Sequence, residues 1–237
     1  MSTFQGLIRR SIINTETQYE RLSQITNNVA NYNTTAYKAV RFEQILDENG
    51  YLSGVARTNF TPGSFMKTQN PLDISIMGSG FIPVTSKTGD VVYTREGSFK
   101  LNKDGYIVTS DNYLVGDGIK IPANYSSLRI KPDGDVAITY VNGEPEKVLG
   151  KIPLVNFINN EGLKQLDNNK YSPTADSGEP VLLKNHNYIA QGGLERANIN
   201  VYNEVNDVLR LNASMLASFK LMKAIDDMYN KAINMKQ

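Results

Sequence analysis

Val201-Tyr-Asn-Glu-Val-Asn-Asp-Val208-Leu-Arg-Leu-Asn-Ala-Ser-Met215-Leu-Ala-Ser-Phe-Lys-Leu-Met222-Lys-Ala-Ile-Asp-Asp-Met-Tyr229 carries an apolar residue at every seventh position. Val205, Leu211, Phe219, Ile225 and Ile233 lie between these, three or four residues on. From Asn198 to Gln237 there is neither proline nor glycine, so nothing breaks a helix. The pattern predicts a helix with a heptad-like seam over about 33 residues. A lone helix would leave that seam in water, so it requires a partner.

The cheapest partner is the other end of the chain. Phe4 to Asn31 contains no proline and one glycine, Gly6. Phe4, Ile8, Ile12, Tyr19, Leu22 and Val29 recur in threes and fours, with Thr15 and Thr26 as polar members. This reads as an amphipathic helix with a narrow apolar stripe. It stops at Asn31-Tyr-Asn-Thr-Thr35, a run that favours caps and turns.

Nearly all proline and glycine falls between residues 60 and 196. Strand candidates are Val91–Thr94, Ser98–Leu101, Tyr106–Thr109, Leu128–Ile130, Val136–Tyr140 and Ile152–Phe157. Thr88-Gly-Asp, Lys103-Asp-Gly105, Pro132-Asp-Gly134 and Asn142-Gly143 supply hairpin turns. Residues 43–64 read as a connector with at most a weak strand. The expected fold is mainly β with α: an antiparallel β domain inserted between N- and C-terminal helices that pair as a coiled-coil-like stem. The expected segments are 1–42 (first stem helix and its following turn), 43–64 (connector), 65–196 (β domain) and 197–237 (second stem helix).

A chain of 237 residues can bury a sizeable core. The 25 basic and 24 acidic residues leave a net charge of +1, which gives no electrostatic reason to expect nucleic acid or an anionic membrane as partner. No segment approaches the apolar length of a membrane span. At the N-terminus, Arg9-Arg10 follows the apolar residues instead of preceding them, unlike a secretory signal. A soluble, unprocessed chain is expected.

Chemistry is hard to find. With no cysteine and one histidine, His186, neither a thiolate site nor a histidine zinc site can be built. His186 has no nucleophile-elbow pattern to serve and reads as an exposed or hydrogen-bonded surface residue. Gly78-Ser-Gly80 lacks the third glycine of a dinucleotide fingerprint and reads as a tight turn. Asn102, Asp104 and Gly105 begin like a calcium loop, but the twelfth position is Tyr113, not glutamate. Two facing carboxylates would make a glycosidase pair, and nothing points to one. No catalytic residue, cofactor or metal is expected, and the chain does not read as an enzyme. Met215, Met222, Met228 and Met235 suit either an adaptable binding surface or helix packing.

Five blocks in order carry a family resemblance. Asn27-Asn-Val-Ala-Asn31 with Thr35-Ala-Tyr-Lys38 resembles the N-terminal signature of the flagellar axial rod and hook proteins. Asn70-Pro-Leu-Asp-Ile-Ser-Ile76 with Gly78-Ser-Gly-Phe81 resembles the second block. Tyr93-Thr-Arg-Glu-Gly-Ser-Phe99 with Asp104-Gly-Tyr-Ile-Val-Thr109 resembles the third. Gly150-Lys-Ile-Pro-Leu-Val-Asn-Phe157 with Glu161-Gly-Leu163 is similar to the fourth. Gln191-Gly-Gly-Leu-Glu195 with Asn198-Ile-Asn-Val201 is similar to the fifth. The resemblance is closest to basal-body rod proteins of the FlgF and FlgG type. Three departures stand out. Ala36 replaces a usual glycine, Asn212-Ala-Ser-Met-Leu216 replaces a conventional helix block, and the stretch from Phe42 to Met66 is shorter than in distal rod proteins.

The resemblance implies a structural subunit of the flagellar basal body that polymerises helically into the drive shaft carrying torque from motor to hook. It implies export through the flagellar type III apparatus without a cleaved signal, and a periplasmic rod where the envelope has two membranes. It implies contacts with other rod subunits, hook-side axial proteins and copies of itself. An open, heterologous interface of this kind generates filaments. The assembly interface is expected at Ile8, Ile12, Tyr19 and Leu22 and at Val201, Val205, Val208, Met215, Phe219, Met222 and Tyr229. Asn27, Asn28 and Asn31 either cap the first helix or bond neighbouring stems. The terminal helices are expected to be frayed in isolated monomers and to fold on assembly, over a stable β body. The other reading is an extracellular stalked β-domain module for binding or adhesion.

Overall fold

Two long helices bracket the strands. α1 spans Ser2–Ala30 and α2 spans Val201–Asn234. The computed structural model describes residues 2–46, 52–140, 145–184 and 186–234, excepting the side chains of residues 2–5, 7, 8, 52, 232 and 233. The expected Asn142-Gly143 turn, Met235 and the side chains of Phe4, Ile8 and Ile233 lie outside the described residues. The chain divides into two compact units. Met1–Asn31, Ala39–Asn59 and Ile199–Gln237 form a helical unit; Tyr32–Lys38 and Phe60–Asn198 form a β unit. No helix among the described residues is long and apolar enough to cross a membrane.

α2 starts where Asn200 caps it, its Oδ1 accepting from the backbone N–H of Tyr202 at 3.1 Å and Asn203 at 3.3 Å. The helical unit also holds an antiparallel hairpin, β1 (Val40–Leu46) and β2 (Leu52–Thr58). Residues 43–64 are therefore not a connector with at most a weak strand; most of this hairpin lies there. Gly54 hid it, since glycine weakens a strand reading. Its missing side chain is filled by the Phe42 ring, which a Cβ would meet at 2.1 Å.

Among its described residues the β unit holds sixteen short strands in chain order. These are β3 (Phe65–Lys67), β4 (Ile74–Ile76), β5 (Ile82–Thr85), β6 (Val91–Thr94), β7 (Lys100–Leu101), β8 (Ile107–Val108), β9 (Leu114–Val115), β10 (Tyr125–Ile130), β11 (Asp135–Tyr140), β12 (Lys147–Lys151), β13 (Val155–Asn156), β14 (Lys164–Leu166), β15 (Lys170–Ser172), β16 (Val181–Leu182), β17 (Ile189–Gln191) and β18 (Gly193–Glu195). The largest sheet runs β14-β15-β6-β5-β9-β8-β7, and a second runs β10-β11-β12. β13 pairs with β16, β17 with β4 and β18 with β3. Every pairing among the described residues is antiparallel.

The sheets enclose an aliphatic core that includes Ile74, Ile82, Val84, Val136, Ile138 and Leu154. Phe60, Phe81, Tyr93, Phe157 and Tyr171 form an aromatic cluster with edge-to-face rings 5.0 to 5.9 Å apart. Expected strand Ile152–Phe157 shrinks to two residues, because Pro153 cannot donate to a ladder.

Candidate assembly interface

The helices of the helical unit meet along a polar face. Asn14 Nδ2 donates to Ser218 Oγ at 3.3 Å, and Gln18 Nε2 to Ser214 Oγ at 2.9 Å. Arg21 pairs with Asp207 at 3.3 Å, and Asn28 Nδ2 donates to Glu204 Oε1 at 3.1 Å. The contacts climb α1 as they descend α2, so the helices run antiparallel. The participating positions are 14, 18, 21 and 28 on α1 and 204, 207, 214 and 218 on α2. Ile25 and Leu211, both buried, fall in the same threes-and-fours rows. Burial raises the Glu204 carboxyl, although the Asn28 amide opposes this.

This geometry divides the stripes expected from apolar spacing. On α1, Ile12, Tyr19 and Val29 are exposed and Leu22 is half-buried; the Ile8 side chain is outside the described residues. On α2, Val208, Met215 and Met222 are half-buried, whereas Val201, Val205, Phe219 and Tyr229 are exposed. Tyr202, Leu209 and Leu216 are exposed as well. Among the described residues, the buried apolar side chains of this unit are Ile25, Ala39, Ile199 and Leu211. That is a thin core, since ordering each backbone residue costs about 1–2 kcal/mol and a buried aliphatic side chain returns about 1.5–3 kcal/mol.

The three asparagines have distinct places. Asn28 is buried and bonds β1 on both sides: its Nδ2 donates to Val40 O at 3.0 Å, and its Oδ1 accepts from Val40 N at 2.9 Å. Asn31 Nδ2 donates to Asn27 O at 2.9 Å, closing the last turn of α1. Asn27 is exposed.

In the β unit, four of the five sequence blocks converge on one buried ion cluster, which sequence reasoning missed. Glu195 accepts from Lys38 Nζ at 2.5 Å and from Arg95 Nε at 3.0 Å, and all three side chains are at most 1% exposed. The Gly63 N–H also donates to Glu195 Oε1, at 2.8 Å. The remaining Arg95 donors reach the carbonyls of Ile76, Gly78 and Gly80 at 2.7 to 3.1 Å. The Gly78-Ser-Gly80 turn is thus a carbonyl cradle for a guanidinium. Spacing could not have found it: Asp73, Glu96, Asp104, Lys151 and Glu161 are ionisable residues of the same blocks, and nothing along the chain singles out Lys38, Arg95 and Glu195 from them.

One carboxylate faces two cations, so the cluster carries an excess positive charge. Burial, with repulsion from Arg95, pulls the Lys38 ammonium from 10.5 down to about 8 despite the attraction of Glu195. Below pH 8 the charged lysine bears its full desolvation cost in the folded chain. As pH rises from about 8 towards 10.5 the folded form loses its proton while the unfolded form keeps it, so this group gains stability with rising pH. Between pH 7 and pH 10, wild-type unfolding free energy should therefore gain on Lys38→Met by up to about 3 kcal/mol in urea titrations. A flat difference would mean that the lysine keeps its proton.

Ala36 adopts φ +56° and is buried, with its N–H bonded to Glu195 O at 2.8 Å. It holds a left-handed backbone that glycine takes without strain. His186 is 6% exposed, stacked on Tyr188 with centroids 6.0 Å apart, so it is not a surface residue. Burial, then Lys151, hold its pKa below the usual value. An open cleft lined by Asp111, Tyr113 and Lys170 contains an Asp111–Lys170 ion pair over the Tyr113 ring.

Comparison with known proteins follows the same blocks. The model of the flagellar hook protein FlgE/F/G D1 domain matches residues 75–138. The flagellar basal-body rod protein FlgG of Buchnera aphidicola subsp. Acyrthosiphon pisum is 31% identical over 245 residues, covering 91% of this chain and 94% of that protein. FlgG of Agrobacterium fabrum is 30% identical over 242 residues, covering 90% and 92%. The rod protein FlgF of Mesorhizobium japonicum is 28% identical over 225 residues, covering 90% of each chain. With such identity along nine-tenths of its length, this chain belongs to the flagellar basal-body rod protein family of the FlgG and FlgF type.

Proposed function

We propose that this protein is a structural subunit of the flagellar basal-body rod, polymerising helically into the shaft that carries torque from motor to hook. Beyond the family, the observation that supports this is the division of the helical unit: its internal seam is largely polar around Ile25 and Leu211, while Ile12, Tyr19, Val201, Val205, Phe219 and Tyr229 are exposed. Polar residues at seam positions fix register at a cost in stability. In this reading α1 and α2 pair as a coiled-coil-like stem, with the polar ladder setting their register. Assembly then buries Ile12, Tyr19, Val201, Val205, Phe219 and Tyr229 against copies of the chain and other axial proteins. The helical unit of residues 1–31, 39–59 and 199–237 supplies the stem, and residues 32–38 and 60–198 the β body. The subunit reaches the basal body through the type III export apparatus and, in a two-membrane envelope, occupies the periplasm.

The test is deletion of the gene followed by electron microscopy of isolated basal bodies. Missing or truncated rods without hooks are expected. Complete hook-basal bodies would overturn the reading.

A further inference from the structure

The chain passes between its units after residues 31, 38, 59 and 198. Next to three of these points, residues 37–38, 60–64 and 196–198 belong to no strand, so no ladder ties them together. Side chains and isolated amides do so instead. Lys38 Nζ donates to Thr61 O at 2.9 Å. Asn198 Nδ2 donates to the same carbonyl at 2.9 Å and to Thr61 Oγ1 at 3.2 Å. Arg196 N donates to Ser64 O at 2.9 Å. Glu195 joins all three segments: its carboxylate takes Lys38 and the Gly63 N–H, and its own carbonyl takes the Ala36 N–H. Arg95 anchors that carboxylate to the turn at residues 76–80.

The fit leaves no slack. A Cβ on Gly63 would meet Arg196 O at 1.9 Å, so the 60–64 and 196–198 segments lie in direct backbone contact. We infer that the Lys38–Glu195–Arg95 cluster is a neck clamp that makes these three chain segments leave the β unit as one body. Lys38 and Glu195 are positioning residues for the neck, and the ladders of the large sheet do not depend on Lys38. On the rod reading proposed above, on which this consequence rests, the three segments are covalent paths for load between stem and body, and the clamp shares that load among them.

Hydrogen exchange on the full-length chain tests the clamp. In Lys38→Met, the amides of Ala36, Gly63 and Arg196 should exchange ~10-fold faster or more. In Glu195→Gln the increase should reach ~100-fold, because two buried cations lose their counter-charge. The amides of Val84 and Val92, in the β5–β6 ladder, should keep their rates in Lys38→Met. Unchanged neck rates, or ladder amides accelerating in step with the neck, would overturn the inference. If Glu195→Gln does not fold, Lys38→Met alone decides. Exchange is read on isolated chains, so selective loosening of the neck alongside complete basal bodies in the deletion strain would sink the rod reading and leave the clamp standing.

Discussion

Glu195→Gln will lower the unfolding free energy of the β unit by about 3–5 kcal/mol, the cost of breaking a buried ion pair from one side. Glutamine matches glutamate in shape, so packing is preserved and the change isolates charge. It leaves Lys38 and Arg95, at most 1% exposed, with no negative partner in the cluster. The lysine has an escape, since it already holds its proton weakly. Removing the glutamate takes away the attraction that supports its charge, so the ammonium will deprotonate at lower pH still. Two results follow. The Glu195→Gln defect will shrink as pH rises towards about 8, where wild-type Lys38 also loses its proton, and level off above it. Adding Lys38→Met to Glu195→Gln will restore part of the lost stability, although each change alone is unfavourable. Urea unfolding followed by circular dichroism measures both. A defect under about 1 kcal/mol, or a double variant less stable than Glu195→Gln, would show that the charges are not coupled in this way.

Phe219→Asp will abolish assembly while sparing the folded monomer. Phe219 is 47% exposed in the isolated chain, so a carboxylate there stays hydrated and costs the monomer under about 1 kcal/mol. On the proposed interface the same position is covered in the stacked array, and an unpaired buried carboxylate there would cost several kcal/mol, about the scale of a whole subunit contact. Because every subunit carries the change, the penalty recurs along the polymer. Soft-agar motility should vanish and basal bodies should lack rods, while the β unit's melting temperature stays within about 2 °C. Leu211→Asp is the contrasting case. Leu211 is 3% exposed, between α1 and α2, and its loss should weaken the helical unit itself. Normal motility in Phe219→Asp would remove that residue from the interface.

Much of this protein was legible in one dimension. The proline-free ends, with Gly6 their one glycine, specify α1 and α2, because a long run of helix-compatible residues favours no other local structure. Asp-Gly at 104–105 and 133–134 specifies hairpins, because glycine alone takes those positive φ angles without strain, +85° and +95°. The order of elements, helix then strands then helix, follows from these local signals, and the five motif blocks identify the family.

Tertiary structure decided which faces meet. Hydrophobic spacing selects the stripe through Ile12 and Tyr19, yet α1 touches α2 through Asn14, Gln18, Arg21 and Asn28. A polar seam gives no periodic apolar signal, and its hydrogen bonds exist only once two distant segments lie side by side. The same holds for the ion cluster. Lys38, Arg95 and Glu195 are far apart in sequence, and burial is worthwhile only where each charge finds the others and the carbonyls of residues 76–80. Sequence therefore determined the elements and the lineage. Only the folded chain revealed that four of the family motifs build one buried ion cluster, and that apolar side chains such as Ile12, Tyr19, Val205 and Phe219 stay exposed on the helices.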